Sequence, residues 1–225
     1  PPGWLLSPTP VRATARLQLH AGFDFAAAAD QVACYSSLGV SHLYLSPIAA
    51  AMPGSTHGYD GIDPTRINPE LGGEAGFLHL AVRARAHGLG LILDWVPNHL
   101  AAAPQNAWWS DVLMHGRRSP YAHWFDIDWD AAACGQRLWL PVLDRPLDAA
   151  IGSGMLRVDD DGDLPVLRHH DLCLPLSPRS YPLDRGARDG WVARCNRSAE
   201  RMHALLERQH YHLAWWRTAG DQVNY

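Results

Sequence analysis

The sequence predicts an α/β protein with parallel strands joined by helices, and three observations favour this fold class. Residues 12–103 alternate short extended segments with helical ones, as repeated βα units do. Residues 89–96 form an apolar run of strand length. Beyond Asn98 this rhythm stops. The order strand, helix, strand, loop, helix, strand fits the first three strands of a parallel barrel or of an open doubly wound sheet.

The first strand and the first helix are predicted from alternation and from end signals. Residues 16–20 alternate polar and apolar side chains, as a strand does. Residues 25–38 are rich in alanine, with Asp24 as an N-cap and Gly39 as the residue that ends the helix.

The second and third strands follow with a helix between them. Residues 42–47 predict a strand that ends at Pro47, and a long loop containing glycine and proline comes next. Residues 74–87 have apolar side chains at helical spacing and close at Gly88. Residues 89–96 then predict a buried strand.

The chain changes character after residue 98, which predicts a large inserted subdomain. Short alternating pieces occur at residues 137–140 and 155–158. The acidic segment 159–163 resembles a calcium loop in composition, but it lacks the glutamate of that motif, so a hairpin turn is favoured. Residues 191–218 place apolar side chains on one helical face and predict a long helix.

Composition excludes several functional classes. The 225 residues are 47% hydrophobic, enough to bury a sizeable core. A formal net charge of −4 with scattered lysine and arginine residues argues against a nucleic-acid partner. No run of about 18 apolar residues predicts a membrane span. The first six residues carry no positive stretch typical of an export signal, and we expect a cytoplasmic protein.

Cysteine and histidine spacing predicts neither a metal site nor a cofactor. No C-x-x-C pair occurs among the four cysteines, which favours reduced thiols over zinc or a disulfide framework. Three carboxyl-terminal histidines do not repeat at the i, i+4 spacing that would place them together on a helix. These residues are Cys34, Cys134, Cys173 and Cys195, and His203, His210 and His212.

Polar side chains follow two neighbouring predicted strands, where barrel folds place their active sites. Together they could line a pocket for a polyhydroxylated ligand, with an aromatic face for a sugar ring. The candidates are Asp94, Asn98 and His99 after the third strand, and His57, Tyr59 and Asp60 in the loop after the second.

Each candidate also has a structural interpretation. Asp94 could be a helix N-cap, and His57 could be a hydrogen-bonding group beside a glycine turn. Asn98 is expected to hold the long loop through backbone bonds. The many tryptophans after residue 98 could contact a sugar, but packing inside the subdomain is the commoner role.

Several segments carry a resemblance to a known family. Asp94-x-x-x-Asn98-His99 after an apolar strand resembles the first signature of the α-amylase family, glycoside hydrolase family 13. A longer series, in order, resembles one branch of that family, the maltooligosyltrehalose synthases, over essentially the whole chain. The matching segments are residues 38–47, 53–60, 68–73, 96–99, 106–109, 125–129 and 205–209. Ala15 and Trp95 depart from the tyrosine and the small aliphatic residue usual there.

This resemblance implies the first part of a (β/α)8 TIM-type barrel. Residues 1–97 would form three βα units, residues 98–190 an insertion after the third strand, and residues 191–225 a helical segment leading back to the barrel. The insertion would exclude water from the site.

The resemblance also implies a retaining reaction on maltooligosaccharides, in which the terminal α-1,4 bond becomes an α,α-1,1 bond. His99 would donate a hydrogen bond to a glucose hydroxyl, Tyr59 would stack beneath the ring, and Asp94 would order an arginine and the nucleophile on the next strand. The nucleophile and the acid/base group would lie on later strands, so this chain alone is predicted to be inactive.

Two alternatives remain open. One is another hydrolase or transferase of the same family, since Asp94, Asn98, His99 and Tyr59 are shared more widely. The other is an inert or sugar-binding fragment, because three strands leave an open sheet edge. The expected partners are an α-1,4-glucan and the remainder of the same polypeptide.

Overall fold

The computed structural model describes residues 10–131, 135–160 and 164–225, and the chain divides into two compact units. The first unit ends at Ala102 and the second begins at Ala103. Residues 191–225 therefore lie in the same unit as residues 103–190. None of the helices described is long and apolar enough to cross a lipid bilayer.

The first unit contains a parallel three-stranded sheet with helical connections, as the βα rhythm predicts. Its elements are β1 (Thr14–Leu17), α1 (Phe25–Ser37), β2 (His42–Leu45), β3 (Ala49–Ala51), β4 (Gly61–Ile67), α2 (Gly73–Ala86) and β5 (Gly90–Leu93). Strands β1, β2 and β5 pair in that order, with Thr14 opposite His42 and His42 opposite Gly90. This order fits the start of both a barrel and an open doubly wound sheet.

Helix α1 begins and ends where its end signals predict. The Asp24 side chain accepts a hydrogen bond from the backbone N–H of Ala27 at 2.9 Å. Leu38 is the C-cap, and Gly39 follows with a φ of +79°, a left-handed conformation that glycine adopts without a Cβ penalty.

The sheet packs on the two helices through a continuous apolar cluster. Phe25 and Val32 of α1, Leu43 of β2 and Leu80 of α2 are fully buried. The Phe25 ring meets the Phe77 ring edge-on, with centroids 5.7 Å apart. Burying each large side chain stabilises the unit by roughly 1.5–3 kcal/mol.

Two details of the first unit differ from the sequence predictions. The loop after β2 contains an antiparallel pair, β3 and β4, which was missed because an alanine run has no alternation and Pro64 lies inside β4. The strand predicted as buried at residues 89–96 is only partly so, and Leu93 is 40% exposed. Strand β5 lies at an edge of the described sheet, which leaves that side chain uncovered.

The second unit combines three groups of elements. The helices are α3 (Ala107–His115), α4 (Leu147–Gly152), α5 (Arg185–Asn196) and α6 (Ala199–Leu206). The strands are β6 (Leu138–Leu143), β7 (Leu156–Asp159), β8 (Val166–His169), β9 (Leu172–Pro175) and β10 (Tyr211–Trp215). Strands β7, β8 and β9 form an antiparallel sheet, and β6 pairs in parallel with β10.

The hairpin turn predicted at residues 159–163 lies between two strands that pair with each other. Asp159 of β7 lies opposite Val166 of β8 in an antiparallel ladder. Residues 161–163 of the acidic turn lie outside the described residues, as do residues 1–9 and Cys134.

The long helix predicted at residues 191–218 is wrong. Helix α5 ends at Asn196, and Ser198 begins α6 by accepting a hydrogen bond from the backbone N–H of Arg201 at 3.2 Å. Residues 211–215 form β10, whose partner β6 is distant in sequence. Leu213 fits the helical spacing that begins at Met202, and this periodicity led α5, α6 and β10 to be predicted as one helix.

Tryptophans of the second unit serve mainly in packing, as expected. Trp109 and Trp129 are buried in its apolar core with Leu138 and Leu143. Trp124 and Trp216 are exceptions among the described residues, with 55% and 57% of their surfaces exposed.

Candidate active site

The carboxyl ends of β1, β2 and β5 meet at one edge of the sheet, where an arginine, a tyrosine and an aspartate form a closed network. The Arg16 guanidinium of β1 contacts the Asp94 carboxylate, with Nη1 2.8 Å from Oδ2. Its Nη2 donates to the Tyr59 hydroxyl at 2.9 Å. That hydroxyl donates to the same Asp94 Oδ2 at 2.6 Å. Each member therefore holds the other two.

Two further contacts fix this network on the sheet. The Arg16 guanidinium carbon lies 4.4 Å from the centre of the Tyr44 ring on β2, a cation–π contact. The backbone N–H of Asp94 donates to the Leu45 carbonyl at 3.0 Å, which continues the pairing of β5 with β2 past the end of the strand. The positions of the charged groups are set by the sheet.

The network lowers the pKa of the Asp94 carboxyl below its ordinary value. The largest cause is the Tyr59 hydroxyl, followed by the Arg16 hydrogen bond, and both outweigh the opposing effect of partial burial. The hydrogen bond to Asp94 is in turn the largest cause that raises the pKa of Arg16. Asp94 is therefore an ionised acceptor at neutral pH.

The helix N-cap interpretation of Asp94 is wrong, because no helix begins there. The next helix, α3, starts at Ala107, and the buried Asn106 side chain caps it. Asp94 is held by side chains from other segments instead.

The loop that carries Tyr59 is fixed by a close backbone approach. Gly58 has a φ of +75°, and a Cβ at this position would lie 2.7 Å from the Pro47 carbonyl oxygen. Asp60, predicted to bind substrate, accepts from the Ser55 hydroxyl at 2.5 Å, and Ser55 Oγ accepts from the Gly58 N–H at 3.1 Å. Asp60 thus supports the loop.

His57 also braces Tyr59, in agreement with its structural interpretation. Its Nδ1 accepts from the Tyr59 backbone N–H at 3.0 Å, and the two rings stack with centroids 6.0 Å apart. Because Nδ1 is the acceptor, the neutral ring carries its proton on Nε2. That side chain remains half-exposed.

His99 is tied to the same tyrosine by its other ring nitrogen. Its Nε2 lies 2.9 Å from the Tyr59 carbonyl oxygen. A carbonyl can only accept, so Nε2 carries the proton and Nδ1 remains an acceptor. The predicted donation from His99 to a glucose hydroxyl remains a prediction.

Asn98 does not join the network. It is exposed. The expectation that it holds the loop through backbone bonds remains a prediction.

The candidate residues surround a small cleft in the first unit. Tyr59, Asp94, Trp95 and His99 line it, and its volume is about 20 Å³. That is room for about one water molecule, far less than a sugar ring needs. The exposed face of the Tyr59 ring, in a residue that is 38% exposed, is the part available to a larger ligand.

Sequence reasoning missed Arg16 and Tyr44. Both lie on strands whose carboxyl ends form the same edge as Asp94. A search of every predicted strand for polar side chains near its carboxyl end would have found Arg16. In the structure, Arg16 lies opposite Tyr44, and Tyr44 lies opposite Ile92.

An ionised carboxylate, an arginine and an exposed tyrosine at the carboxyl ends of parallel strands lie where α/β enzymes keep their active sites. The family model "Alpha amylase, catalytic domain" matches residues 24–142, more than half of the chain. The chain belongs to the α-amylase family.

Within that family, the most extensive similarities are to maltooligosyl trehalose synthases. A candidate maltooligosyl trehalose synthase of Mycobacterium tuberculosis is 45% identical over 215 residues, which cover 92% of this chain and 25% of that protein. The structure of maltooligosyltrehalose synthase from Arthrobacter ramosus matches with a TM-score of 0.79 and 37% identity, over 96% of this chain and 25% of that one.

Other family members match a shorter part. The intracellular maltogenic amylase of Bacillus subtilis is 36% identical over 107 residues, 47% of this chain and 17% of that protein. The chain thus spans about a quarter of the length of the synthases that it matches.

Proposed function

We propose that the polypeptide carrying this chain is an intramolecular transglucosylase, a (1,4)-α-D-glucan 1-α-D-glucosylmutase. It converts the α-1,4 bond at the reducing end of a maltooligosaccharide to an α,α-1,1 bond and yields a maltooligosyl trehalose. The similarity to synthases over more than nine-tenths of the chain supports this proposal. The Arg16–Tyr59–Asp94 network at the strand ends supports a glucan-active site, and the similarity to the synthases carries the choice of the mutase.

The same comparison supports the proposed architecture. Strands β1, β2 and β5 would be the first three of a (β/α)8 barrel, with residues 98–190 inserted after the third. The parallel order of these strands supports the barrel. The edge strand β5, with its exposed Leu93, is where a fourth strand would pair.

The reaction proceeds in two steps with retention. An aspartate attacks the anomeric carbon of the penultimate glucose, the glycosidic bond breaks, and a glutamate protonates the departing oxygen of the terminal glucose. The anomeric hydroxyl of that glucose then attacks the same carbon, its proton returns to the glutamate, and the aspartate leaves. Both carboxylates belong to later barrel strands outside these 225 residues.

This chain contributes positioning groups. The Asp94 carboxylate holds the Arg16 guanidinium at the strand ends, where its positive charge favours an ionised nucleophile nearby. The exposed Tyr59 ring offers an apolar face to the sugar ring, and His99 lies beside it at the cleft. Exclusion of water from the site would then favour attack by the anomeric hydroxyl of the terminal glucose over hydrolysis.

A cytoplasmic location fits the proposal. Cys34, Cys173 and Cys195 are free thiols in the described residues, as a reducing compartment favours.

A second candidate is hydrolysis of α-glucans, favoured by the match to the maltogenic amylase of Bacillus subtilis. The products separate the two. The full-length polypeptide is incubated with maltohexaose, and reducing ends are counted together with free glucose. Loss of reducing ends with little glucose supports the mutase, whereas a rise in reducing ends supports the hydrolase.

An Asp94→Asn variant links that activity to the candidate site. It keeps the size of the side chain but removes the charge that Arg16 contacts. We expect kcat/KM to fall by about tenfold or more, which is the loss of about 1.4 kcal/mol of transition-state stabilisation. Asp63→Asn is the matched control and should keep full activity, because this half-buried carboxylate of β4 bonds only to Thr65, two residues further on.

A further inference from the structure

A separate cluster of two histidines and an aspartate lies in the second unit. Asp144 comes directly after β6, His169 is the last residue of β8, and His170 begins the two-residue turn into β9. Nε2 of His169 is 3.4 Å from Asp144 Oδ1, and Nε2 of His170 is 3.7 Å from Asp144 Oδ2. The three ligand-type atoms lie within 4.8 Å of one another.

The His169 ring is the unusual member of this cluster. Its residue is only 4% exposed, and its Nε2 is a buried polar atom without a hydrogen-bond partner. The nearby Asp144 oxygen does not meet the geometry of a hydrogen bond. A buried ring nitrogen left unpaired is unfavourable, unless something else occupies the space at which it points.

The separations suit a metal ion with histidine and carboxylate ligands. Bonds of about 2.0–2.1 Å to a tetrahedral zinc ion place the ligand atoms roughly 3.3–3.4 Å apart. The two histidine-to-aspartate distances, 3.4 and 3.7 Å, run to different oxygens of the Asp144 carboxylate and are close to that value. The three ligand atoms all lie within 4.8 Å of one another, so they draw closer together when one ion binds all three. Imidazole nitrogen selects zinc and its neighbours over calcium and magnesium, which take oxygen ligands.

Arg145 orients the carboxylate. Its Nε lies 3.1 Å from Oδ1 of Asp144 and its Nη2 lies 2.9 Å from Oδ2. Each carboxylate oxygen has two lone pairs, so the guanidinium occupies one on each and leaves the other for a cation. Hydrogen-bonded carboxylates of this kind are common around protein metal sites.

We propose that Asp144, His169 and His170 bind a divalent transition-metal ion of the zinc type. Asp144 and His170 are each partly exposed, so an ion can reach the site from solvent and complete its coordination with water. The ion joins the residue after β6 to the turn between β8 and β9. Its role is to fix these two segments of the second unit to each other.

The test uses the full-length protein after removal of metals with a chelator. Cobalt(II) serves as a spectroscopic probe for zinc, with its visible absorption recorded during titration, and zinc binding is then measured by calorimetry. We expect cobalt to develop visible bands that zinc abolishes, and zinc to bind with a stoichiometry that falls by one ion in the ligand variant.

The ligand variant is His170→Asn. His170 has a φ of +53°, and asparagine tolerates this left-handed conformation, so the turn should persist. We expect zinc affinity at this site to fall by about tenfold or more. His203→Asn is the matched control, because its Nε2 also contacts an aspartate, Asp148 at 3.1 Å, but it belongs to no such cluster.

The outcomes separate the alternatives. Unchanged zinc affinity and stoichiometry in His170→Asn, with circular dichroism equal to that of the parent, would overturn the proposal. So would a parent protein that binds no zinc, or one that prefers calcium.

Discussion

The Asp94 Oδ2 atom accepts two hydrogen bonds from segments that are distant in sequence, one from Arg16 and one from the Tyr59 hydroxyl. Through this shared acceptor, strand β1, which carries Arg16, is linked to the loop that carries Tyr59. A change at any one of the three residues therefore alters the other two contacts.

Removal of the Tyr59 hydroxyl tests this coupling. In Tyr59→Phe the Asp94 pKa should rise, because the hydroxyl is the largest cause of its depression. The carboxyl pKa is low because its hydrogen bonds stabilise the ionised form, and that form is lost as the pH falls through the pKa of the folded protein. The acid limb of kcat/KM, measured on the full-length protein, should therefore move to higher pH.

The control for this variant is Tyr35→Phe, which removes a hydroxyl from α1. It should leave the pH profile unchanged. An unchanged acid limb in Tyr59→Phe would show that the Asp94 charge does not limit the reaction at low pH.

A pair of glycines tests how the loop holds Tyr59. Gly58→Ala places a Cβ 2.7 Å from the Pro47 carbonyl oxygen at a φ of +75°, whereas Gly54→Ala meets the same left-handed penalty, at +76°, in open space. We expect a loss of unfolding free energy of about 1 kcal/mol for Gly54→Ala and about 1–3 kcal/mol more for Gly58→Ala.

Thermal unfolding of the two full-length variants measures the difference. Equal melting temperatures would mean that the loop relaxes away from Pro47 and does not hold Tyr59 rigidly.

At the scale of single residues, the sequence predicted which side chains lie near one another but not the hydrogen bonds that join them. Tyr59, Asp94 and His99 could be found because they follow strands. The role of Asp60 in supporting the loop could not be predicted, because the hydrogen bond from Ser55 to Asp60 depends on loop geometry that no periodicity encodes. For His57, the sequence left a structural hydrogen-bonding role open beside substrate binding. Arg16 was missed for a different reason: it reads as one polar position in an alternating strand.

Among the elements, helix α1 has the clearest local origin. The Asp24 cap, the alanine-rich sequence and the glycine after the helix all favour a helix here, and so does the apolar face that it buries against the sheet. Helix α6 also begins with a serine cap, but the long apolar periodicity around it concealed the break at residues 197–198.

The cap of α1 gives a direct stability prediction. Asp24→Ala leaves the Ala27 N–H without its acceptor, and we expect a loss of about 1 kcal/mol in unfolding free energy. Asp24→Ser supplies another capping oxygen and should recover most of it. Chemical denaturation with urea measures both, and a loss that serine does not recover would attribute the effect of Asp24 to something other than capping.

The sequence could not predict pairing between strands that are far apart along the chain. β10 was read as helix because its partner β6 is far away along the chain, and only that pairing makes residues 211–215 extended. The parallel strands of the first unit were predicted because a helix connects β1 to β2 and another precedes β5.

For the molecule as a whole, the decisive question is how much of the catalytic apparatus these residues supply. The described cleft has room for little more than one water molecule. Because the proposed nucleophile and acid/base carboxylates also belong to later strands, the 225 residues produced alone should neither consume nor create reducing ends on maltohexaose, whereas the full-length protein should consume them. Turnover by the 225 residues alone would contradict the assignment of the nucleophile to later strands.

The pairing pattern also sets an order for assembly during synthesis. In the first unit each strand of the sheet pairs with one made shortly before it, β2 with β1 and β5 with β2, so this sheet can grow as the chain leaves the ribosome. In the second unit, β6 has to wait until Tyr211 emerges to lie opposite Leu138. Until then the apolar residues of β6 are without their partner strand, and that interval is when a nascent chain most needs a chaperone.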